Sequence, residues 1–193
     1  MRKPNGFDAA SDVIGFKNIS LGGHRCVIHE VTEERTTTGK EYLKVAFDTT
    51  FDDRDPEFYA KKYKSDTRQD KKWQGIMTIF VLDPDGFTSS QFKGFCTSLT
   101  KSNTGYTIPW DSPDTLTSMK GKKVGLVFRE EEYAKTDGTI GVAVKPCWAC
   151  EFEKAVEQDV PARKVKKQNT GNANTQTFAP KFEEIKGDLD LPF

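Results

Sequence analysis

The chain has 193 residues, and its 29 basic and 29 acidic side chains give a formal net charge of zero. This length predicts one domain with its own core plus appendages, and it argues against a second full domain. Because the net charge is zero, affinity for a nucleic acid has to come from local concentrations of basic residues. The sequence has no apolar run near the roughly 20 residues that cross a bilayer and no apolar signal core, so we expect a soluble cytoplasmic protein without a membrane partner.

Residues 1–20 contain glycine and proline without hydrophobic periodicity, which predicts an irregular N-terminal arm. The pattern then changes to two β-rich runs over 24–33 and 41–48, separated by turn residues at 36–39, and this predicts a β-hairpin. The hairpin is the first part of the predicted domain.

The second strand of this hairpin alternates between apolar and other residues. Leu43, Val45 and Phe47 share one face, so Tyr42 and Lys44 must lie on the opposite face. An exposed face with an aromatic ring beside a lysine is a candidate surface for nucleic acid.

An acidic turn over 48–56 leads into a predicted helix over 57–69, in which Tyr59 and Tyr63 lie one turn apart. Basic residues crowd the stretch that ends at Trp73, namely Lys61, Lys62, Lys64, Arg68, Lys71 and Lys72. Basic side chains interleaved with aromatic ones suit a phosphate backbone and its bases. The same pattern is equally compatible with a solvated helix that the tyrosines anchor to the core.

A third strand is predicted over 73–82, and a helix follows over 88–101 with Thr88 as its cap. The helix places four residues at the spacing of one apolar face, namely Phe92, Phe95, Cys96 and Leu99. Tyr106 and Trp110 lie in the loop that follows, and they are candidates for stacking on bases.

A second β-hairpin is predicted over 124–132 and 139–152, with a turn at 136–138. Its outer face holds Arg129 and Lys145, and Lys122 precedes its first strand. Beyond residue 156 the chain loses its apolar content, so we predict that 157–193 form a disordered linker and tail.

The order of predicted elements is strand, strand, inserted basic segment, strand, helix, strand, strand. It predicts a mainly β domain over 21–156, a five-stranded OB-fold barrel with a helix between strands 3 and 4 and the basic insertion between strands 2 and 3. In that fold the loops between strands 1 and 2 and between strands 4 and 5, here 33–40 and 133–138, flank a groove for oligonucleotides.

Four cysteines lie at irregular spacings, Cys26, Cys96, Cys147 and Cys150, which favours reduced thiols over a disulfide framework. Cys147 and Cys150 form one C-x-x-C pair, for which His24 and Cys26 are conceivable zinc partners. A structural zinc site usually has two well-spaced pairs, so we expect no metal and no cofactor.

The chain closes on acidic and apolar residues in alternation, Asp188, Leu189, Asp190, Leu191, Pro192 and Phe193. A terminal Phe with a free carboxylate and nearby acids suits capture by a basic-rimmed pocket on another protein. We therefore interpret the tip as a hook for partner proteins.

Short motifs give the chain a family resemblance, namely Phe-Lys-Gly-Phe-Cys at 92–96, Lys-Ser-Asn at 101–103, Gly-Lys-Lys-Val-Gly at 121–125, Phe-Arg-Glu-Glu-Glu-Tyr at 128–133 and the closing tip. Together they resemble phage-type single-stranded DNA-binding proteins of Gram-positive hosts and mobile elements. The resemblance implies a non-enzymatic protein of a bacterial or phage-infected cell that protects single-stranded DNA in replication or recombination. It also implies replication or recombination proteins as partners of the tip, and a possible homo-oligomer.

The candidate DNA-binding residues are Tyr42, Lys44, Tyr59, Lys61, Lys62, Tyr63, Lys64, Arg68, Lys71, Lys72, Trp73, Tyr106, Trp110, Lys122, Arg129 and Lys145. Two other functions stay open at this point. The acids of the 48–56 turn, Asp48, Asp52, Asp53 and Asp55, are oxygen ligands for the divalent ion of a metal-dependent phosphodiesterase. Alternatively, the protein is an adaptor that holds replication proteins by its tail and binds DNA weakly.

Overall fold

The computed structural model describes residues 18–166, which form a mainly β structure with a five-stranded antiparallel sheet. Its elements are β1 (Gly22–Arg35), β2 (Glu41–Thr49), α1 (Phe58–Ser65), β3 (Ile76–Phe80), α2 (Ser90–Ser102), β4 (Lys123–Ala134) and β5 (Ile140–Cys150). Short 3-10 turns occupy Thr117–Met119 and Ala155–Glu157. The mainly β class, the five strands and the helix between strands 3 and 4 are confirmed. Within the described residues, no helix is long and apolar enough to cross a membrane.

The sheet has the strand order β3-β2-β1-β4-β5, so β1 lies at its centre. β1 pairs with β4 along its first six residues and with β2 from Cys26 to its end. Its pairing with β2 passes from Ile28–Phe47 to Glu30–Ala46, which leaves His29 as an extra residue in a β-bulge. A bulge bends its strand and re-aims the side chain beside it. His29 is thereby placed on the outer side of the sheet, where it contacts Trp73.

The inner face of the sheet packs against α2 around aromatic and branched side chains. Leu43, Val45 and Phe47 are buried, as the alternation in β2 predicts. Phe95 and Leu99 of α2 are fully buried in the same cluster. Burying such side chains contributes roughly 1.5–3 kcal/mol each, so this layer holds the sheet in shape.

The start of α2 differs from the prediction by one residue. Ser89, not Thr88, caps the helix, because its hydroxyl accepts the Phe92 backbone N–H at 3.1 Å. Thr88 forms an isolated bridge with Leu82 instead. β3 is also shorter than predicted and leaves Trp73 in the preceding loop.

The end of β2 is tied to the start of α1 by the Asp48 carboxylate. One oxygen accepts the Tyr59 backbone N–H at 2.8 Å, and the other accepts the Ala60 N–H at 2.9 Å. Glu57, which precedes the helix, has a left-handed φ of 49° and provides no side-chain cap. Asp48 therefore supplies from a neighbouring strand the anionic cap that the first turn of a helix favours.

The loop between β2 and α1 is also joined to β1 by a buried pair. His24 Nδ1 donates to the Asp53 carboxylate at 2.8 Å, and both side chains are fully buried. The same carboxylate accepts the backbone N–H groups of Arg25 at 2.7 Å and Asp55 at 2.9 Å. Together these hydrogen bonds fix the loop against the core.

Acid should destabilise the fold through Asp53. Burial raises the pKa of its carboxyl, but the hydrogen bonds from His24, Asp55 and Arg25 outweigh burial and hold the pKa below the ordinary value of 3.8. A lowered folded-state pKa contributes stability above the ordinary value, and this stability is lost as the pH falls through the folded-state pKa. We expect Asp53→Asn to lose about 1–3 kcal/mol of unfolding free energy at pH 7.

The measurement is urea unfolding from pH 7 to pH 2. The unfolding free energy of Asp53→Asn should decline less steeply below pH 4 than that of the parent protein. Parallel declines in the two proteins would contradict the role given to Asp53.

Candidate nucleic-acid interface

The side of the sheet away from α2 carries a groove of about 810 Å³ across β1 and β2, which we call the outer groove. Its lining residues are His29, Glu30, Thr32, Glu34, Lys44, Ala46, Lys72, Trp73, Ile76 and Lys120. Strand alternation explains the floor, because the inward residues of β2 are buried and the outward residues Lys44 and Ala46 line this groove. The face predicted for Lys44 is confirmed.

Trp73 forms one wall of the outer groove. Its indole N–H donates to the carbonyls of Phe47 and Gly75, both at 3.1 Å. Its ring lies 5.3 Å from the His29 ring and 6.0 Å from the Tyr63 ring. The approach requires Gly75, because a Cβ there would lie 2.2 Å from the Phe47 carbonyl oxygen. Three rings and a backbone anchor thus form a pre-arranged wall.

The two tyrosines of α1 that were predicted to bind DNA lie in different environments, one exposed and one buried. Tyr63 is 37% exposed and has the Lys71 ammonium 4.5 Å from its ring centroid, an aromatic–cation pair beside the groove wall. Tyr59 is buried, and its ring packs edge-on against Phe47 at 5.4 Å. Burial raises the pKa of the Tyr59 hydroxyl. Its ring belongs to the core cluster, so a contact of Tyr59 with DNA stays a prediction.

Tyr42 and Phe80 stand side by side at the far end of the same face. Their ring centroids are 5.9 Å apart, and Phe80 is 41% exposed. The Tyr42 hydroxyl donates to Glu34 at 2.6 Å, and the Lys44 ammonium donates to the other oxygen at 3.2 Å. These two hydrogen bonds lower the pKa of Glu34 and orient both neighbours. Phe80 was missed in the sequence, although β3 alternates with Met77 and Ile79 inward.

A second groove of about 580 Å³ lies between β3 and β5, and we call it the edge groove. Phe80, Arg129, Lys145 and Lys164 are among its lining residues. Ile76 lines both grooves, so they adjoin across β3. Arg129 pairs with Glu131 at 3.0 Å, and Lys145 is exposed.

The charge of the two grooves differs from that of the whole chain. Among the described residues that line them, six are basic and three are acidic, which is a two-to-one excess in a chain of net charge zero. The basic ones are Lys44, Lys72, Lys120, Arg129, Lys145 and Lys164, and the acidic ones are Glu30, Glu34 and Glu131. Lys120 was also missed, because it reaches the groove from a loop far along the chain from β1.

Other basic residues of the predicted cluster are engaged elsewhere. Lys61 donates to the Pro56 carbonyl at 2.7 Å, and the Lys62 ammonium lies 5.7 Å from the Phe58 ring. Arg68 pairs with Asp66 and lowers the pKa of that acid to about 2. Lys64 is exposed on α1. Of the six basic residues predicted between 61 and 72, the structure places Lys72 alone in the outer groove.

The aromatic loop after α2 lies apart from both grooves in the described part of the chain. The Tyr106 hydroxyl lies 2.9 Å from the Ser118 hydroxyl, and the Lys122 ammonium lies 4.5 Å from the Tyr106 ring centroid. Trp110 is 57% exposed and packs edge-on against Phe92 at 6.2 Å. The structure does not join these three predicted residues to the grooves.

Three of the four acids of the 48–56 turn accept backbone N–H groups. Asp48 and Asp53 receive the N–H groups described above, and Asp55 receives the Ser20 N–H at 2.8 Å. Asp52 is exposed and pairs with Arg25 at 3.3 Å. Between residues 18 and 166 there is no group of three or more His, Cys, Asp or Glu side chains arranged to hold a metal ion.

The four cysteines are free thiols. Cys26 is fully buried, and burial raises the pKa of Cys96 and of Cys150 to about 11. Cys147 donates to the Val127 carbonyl at 3.0 Å. Their contacts are those of packed strand residues.

No protein-family model matches the chain, and no curated protein is significantly similar to it.

A side chain at position 75 should displace the Trp73 ring and destabilise the fold. Gly75→Ala places a methyl group against the Phe47 carbonyl and 2.9 Å from Trp73 Nε1, so we expect about 1–3 kcal/mol of destabilisation in denaturant unfolding. Gly94→Ala in α2 is the matched control, because its new Cβ has no neighbour within 4 Å apart from adjacent residues and the backbone of its own helix. The control should gain about 0.5–1 kcal/mol from helix propensity. Equal effects of the two substitutions would contradict the close packing at Gly75.

Proposed function

We propose that this protein binds single-stranded DNA without strong sequence preference, along the outer groove and the edge groove. The observation that carries the proposal is the joined pair of grooves in which basic side chains lie with the partly or fully exposed rings of His29, Trp73 and Phe80. Basic side chains neutralise phosphates, and rings stack on any base because every base has a π face. Chemistry of this kind needs no cofactor.

Two ring pairs are spaced along the proposed path. Trp73 and His29 stand at one end, and Tyr42 and Phe80 stand at the other. Between them the floor is made of small or polar side chains, including Ala46 and Thr32. Bases stacked at the two ends would leave their phosphates facing the lysines at the groove rims.

The strand order supports the interpretation of the domain as an OB-fold. That fold is a five-stranded, partly open Greek-key barrel that binds oligonucleotides on its second and third strands. Here β1 is central and the free edges of β3 and β5 face each other across the edge groove. The outer groove contains Lys44 and Ala46 of β2 and Ile76 of β3.

The family resemblance adds a second element to the proposal, the hook at residues 188–193. These residues lie outside the described part of the chain, so their capture by replication or recombination proteins stays a prediction. Nothing in the outer groove or the edge groove depends on them.

The direct test is a titration of a fluorescent oligo-dT with the intact protein, with duplex DNA and single-stranded RNA as competitors. Oligo-dT should bind, and unlabelled duplex should compete poorly because its bases are not free to stack. Absence of binding, or equal competition by duplex, would overturn the proposed function.

Phe80 should be a stacking platform. Phe80→Ala is expected to weaken oligo-dT binding by roughly 1–3 kcal/mol with little change in stability, because its ring is 41% exposed. Phe87→Ala is the matched control, since Phe87 is 72% exposed and lies outside both grooves. Fluorescence anisotropy gives the affinities, and equal losses in the two variants would contradict a specific role for Phe80.

The groove lysines should determine the salt dependence of binding. The triple substitution Lys72→Gln, Lys120→Gln and Lys145→Gln should make the slope of log affinity against log salt shallower by about 0.7 for each phosphate that is no longer neutralised. The matched control neutralises Lys61, Lys62 and Lys64 on α1, which line neither groove in the described structure. If the α1 triple reduces the slope as much as the groove triple, the path of the DNA crosses α1 instead.

A further inference from the structure

A basic segment at residues 163–166 docks on the free edge of β4 through one parallel β-bridge, between Lys164 and Glu131. β1 pairs with β4 only as far as Phe128, so the backbone of β4 beyond that residue has an open edge. Lys164 fills it: its N–H donates to the Glu130 carbonyl, and the Glu132 N–H donates to the Lys164 carbonyl, both at 2.9 Å. The sequence predicts a disordered linker from residue 157, and this part of it is instead docked on the domain.

The side chains of Arg163 and Lys164 lie on opposite sides of the docked segment and contact different groups. Arg163 pairs with Glu132 at 2.9 Å and approaches Glu130 at 4.0 Å. Lys164 lies on the other face, 3.7 Å from Glu131, and lines the edge groove. Two adjacent cations therefore have two different environments.

The Arg163 pair is better sheltered than most ion pairs on this surface. The Glu132 side chain is 17% exposed and the Arg163 side chain 41% exposed. The Lys164 side chain is 61% exposed, so its ammonium is available to an anion in the edge groove. Arg129 and Lys145 line the same groove, which brings three cations to one short stretch.

We propose that Lys164 is a phosphate-binding residue for single-stranded DNA in the edge groove, and that Arg163 is the positioning residue that holds it there. The inference rests on the proposed function and extends the binding surface into the segment after β5. Arg163 contributes through docking, because its guanidinium faces Glu130 and Glu132 and not the groove. The acidic run at 130–132 thus serves as the anchor for a cation of the binding site.

A double-mutant cycle measured by oligo-dT titration over a range of salt separates the two roles. Lys164→Gln should make the salt slope shallower by about 0.7 and weaken binding roughly tenfold at 50 mM salt. Arg163→Gln should show a similar loss, and the double variant should be no weaker than Lys164→Gln alone. Arg163→Lys should restore most of the affinity, and Lys154→Gln, which neutralises an exposed lysine outside both grooves, should leave it unchanged.

Hydrogen exchange of the protein without DNA tests the docking itself. The backbone amides of Lys164 and Glu132 should be protected in the parent protein and in Lys164→Gln, and should exchange freely in Arg163→Gln. Free exchange of both amides in the parent protein would overturn the proposal.

The titrations distinguish failure of this inference from failure of the proposed function. If the parent protein binds oligo-dT and Phe80→Ala weakens it, but Lys164→Gln changes neither affinity nor slope, the inference is wrong and the function stands. Additive losses from Arg163→Gln and Lys164→Gln would assign each a separate phosphate and overturn the positioning role. If the parent protein binds no oligo-dT, the proposed function and this inference fail together.

Discussion

Buried carboxylates that receive backbone N–H groups hold together the elements that form the proposed binding surface. Asp53 joins the loop after β2 to β1 through His24 and the Arg25 N–H, and Asp48 carries the start of α1 on the end of β2. A buried charge is costly unless hydrogen bonds satisfy it, so each carboxylate forces the chain around it into one arrangement. The position of Tyr63 and, with it, one side of the Trp73 wall follow from that arrangement.

Local sequence patterns predicted most of the fold but only some of the residues that line the two grooves. Alternation in β2 and the apolar spacing in α2 are properties of neighbouring residues, so the buried face of each element was readable from the sequence. The inward face of α1 could not be predicted in this way, because the position of β2 decides whether Tyr59 or Tyr63 is buried. Lys120 lines the outer groove because the fold brings its loop next to β1 and β2, and no local sequence pattern indicates this. The docked segment escaped prediction because its polar composition resembles that of a linker and its partners on β4 lie much earlier in the chain.

A net charge of zero conceals an uneven distribution of charge. Several acids are buried and accept hydrogen bonds within the fold, as Asp48 and Asp53 do. Others form ion pairs with basic residues outside the grooves. The grooves retain an excess of cations because the acids that would balance them are used elsewhere. Opposite charge concentrated within a Debye length of about 10 Å decides whether a polyanion is attracted, and the total charge of the chain does not.

The docking of the basic segment on β4 also bears on how molecules of this protein behave in a crowded solution. An open β edge offers its unpaired N–H and C=O groups to any extended chain, including another molecule of the same protein. Lys164 occupies this edge between Glu130 and Glu132 through two backbone hydrogen bonds. A chain cut before Arg163 would keep the buried hydrophobic residues but leave the backbone groups of Glu130 and Glu132 unpaired, where a second molecule could pair. The C-terminal boundary of a domain that stays monomeric therefore lies after the basic segment.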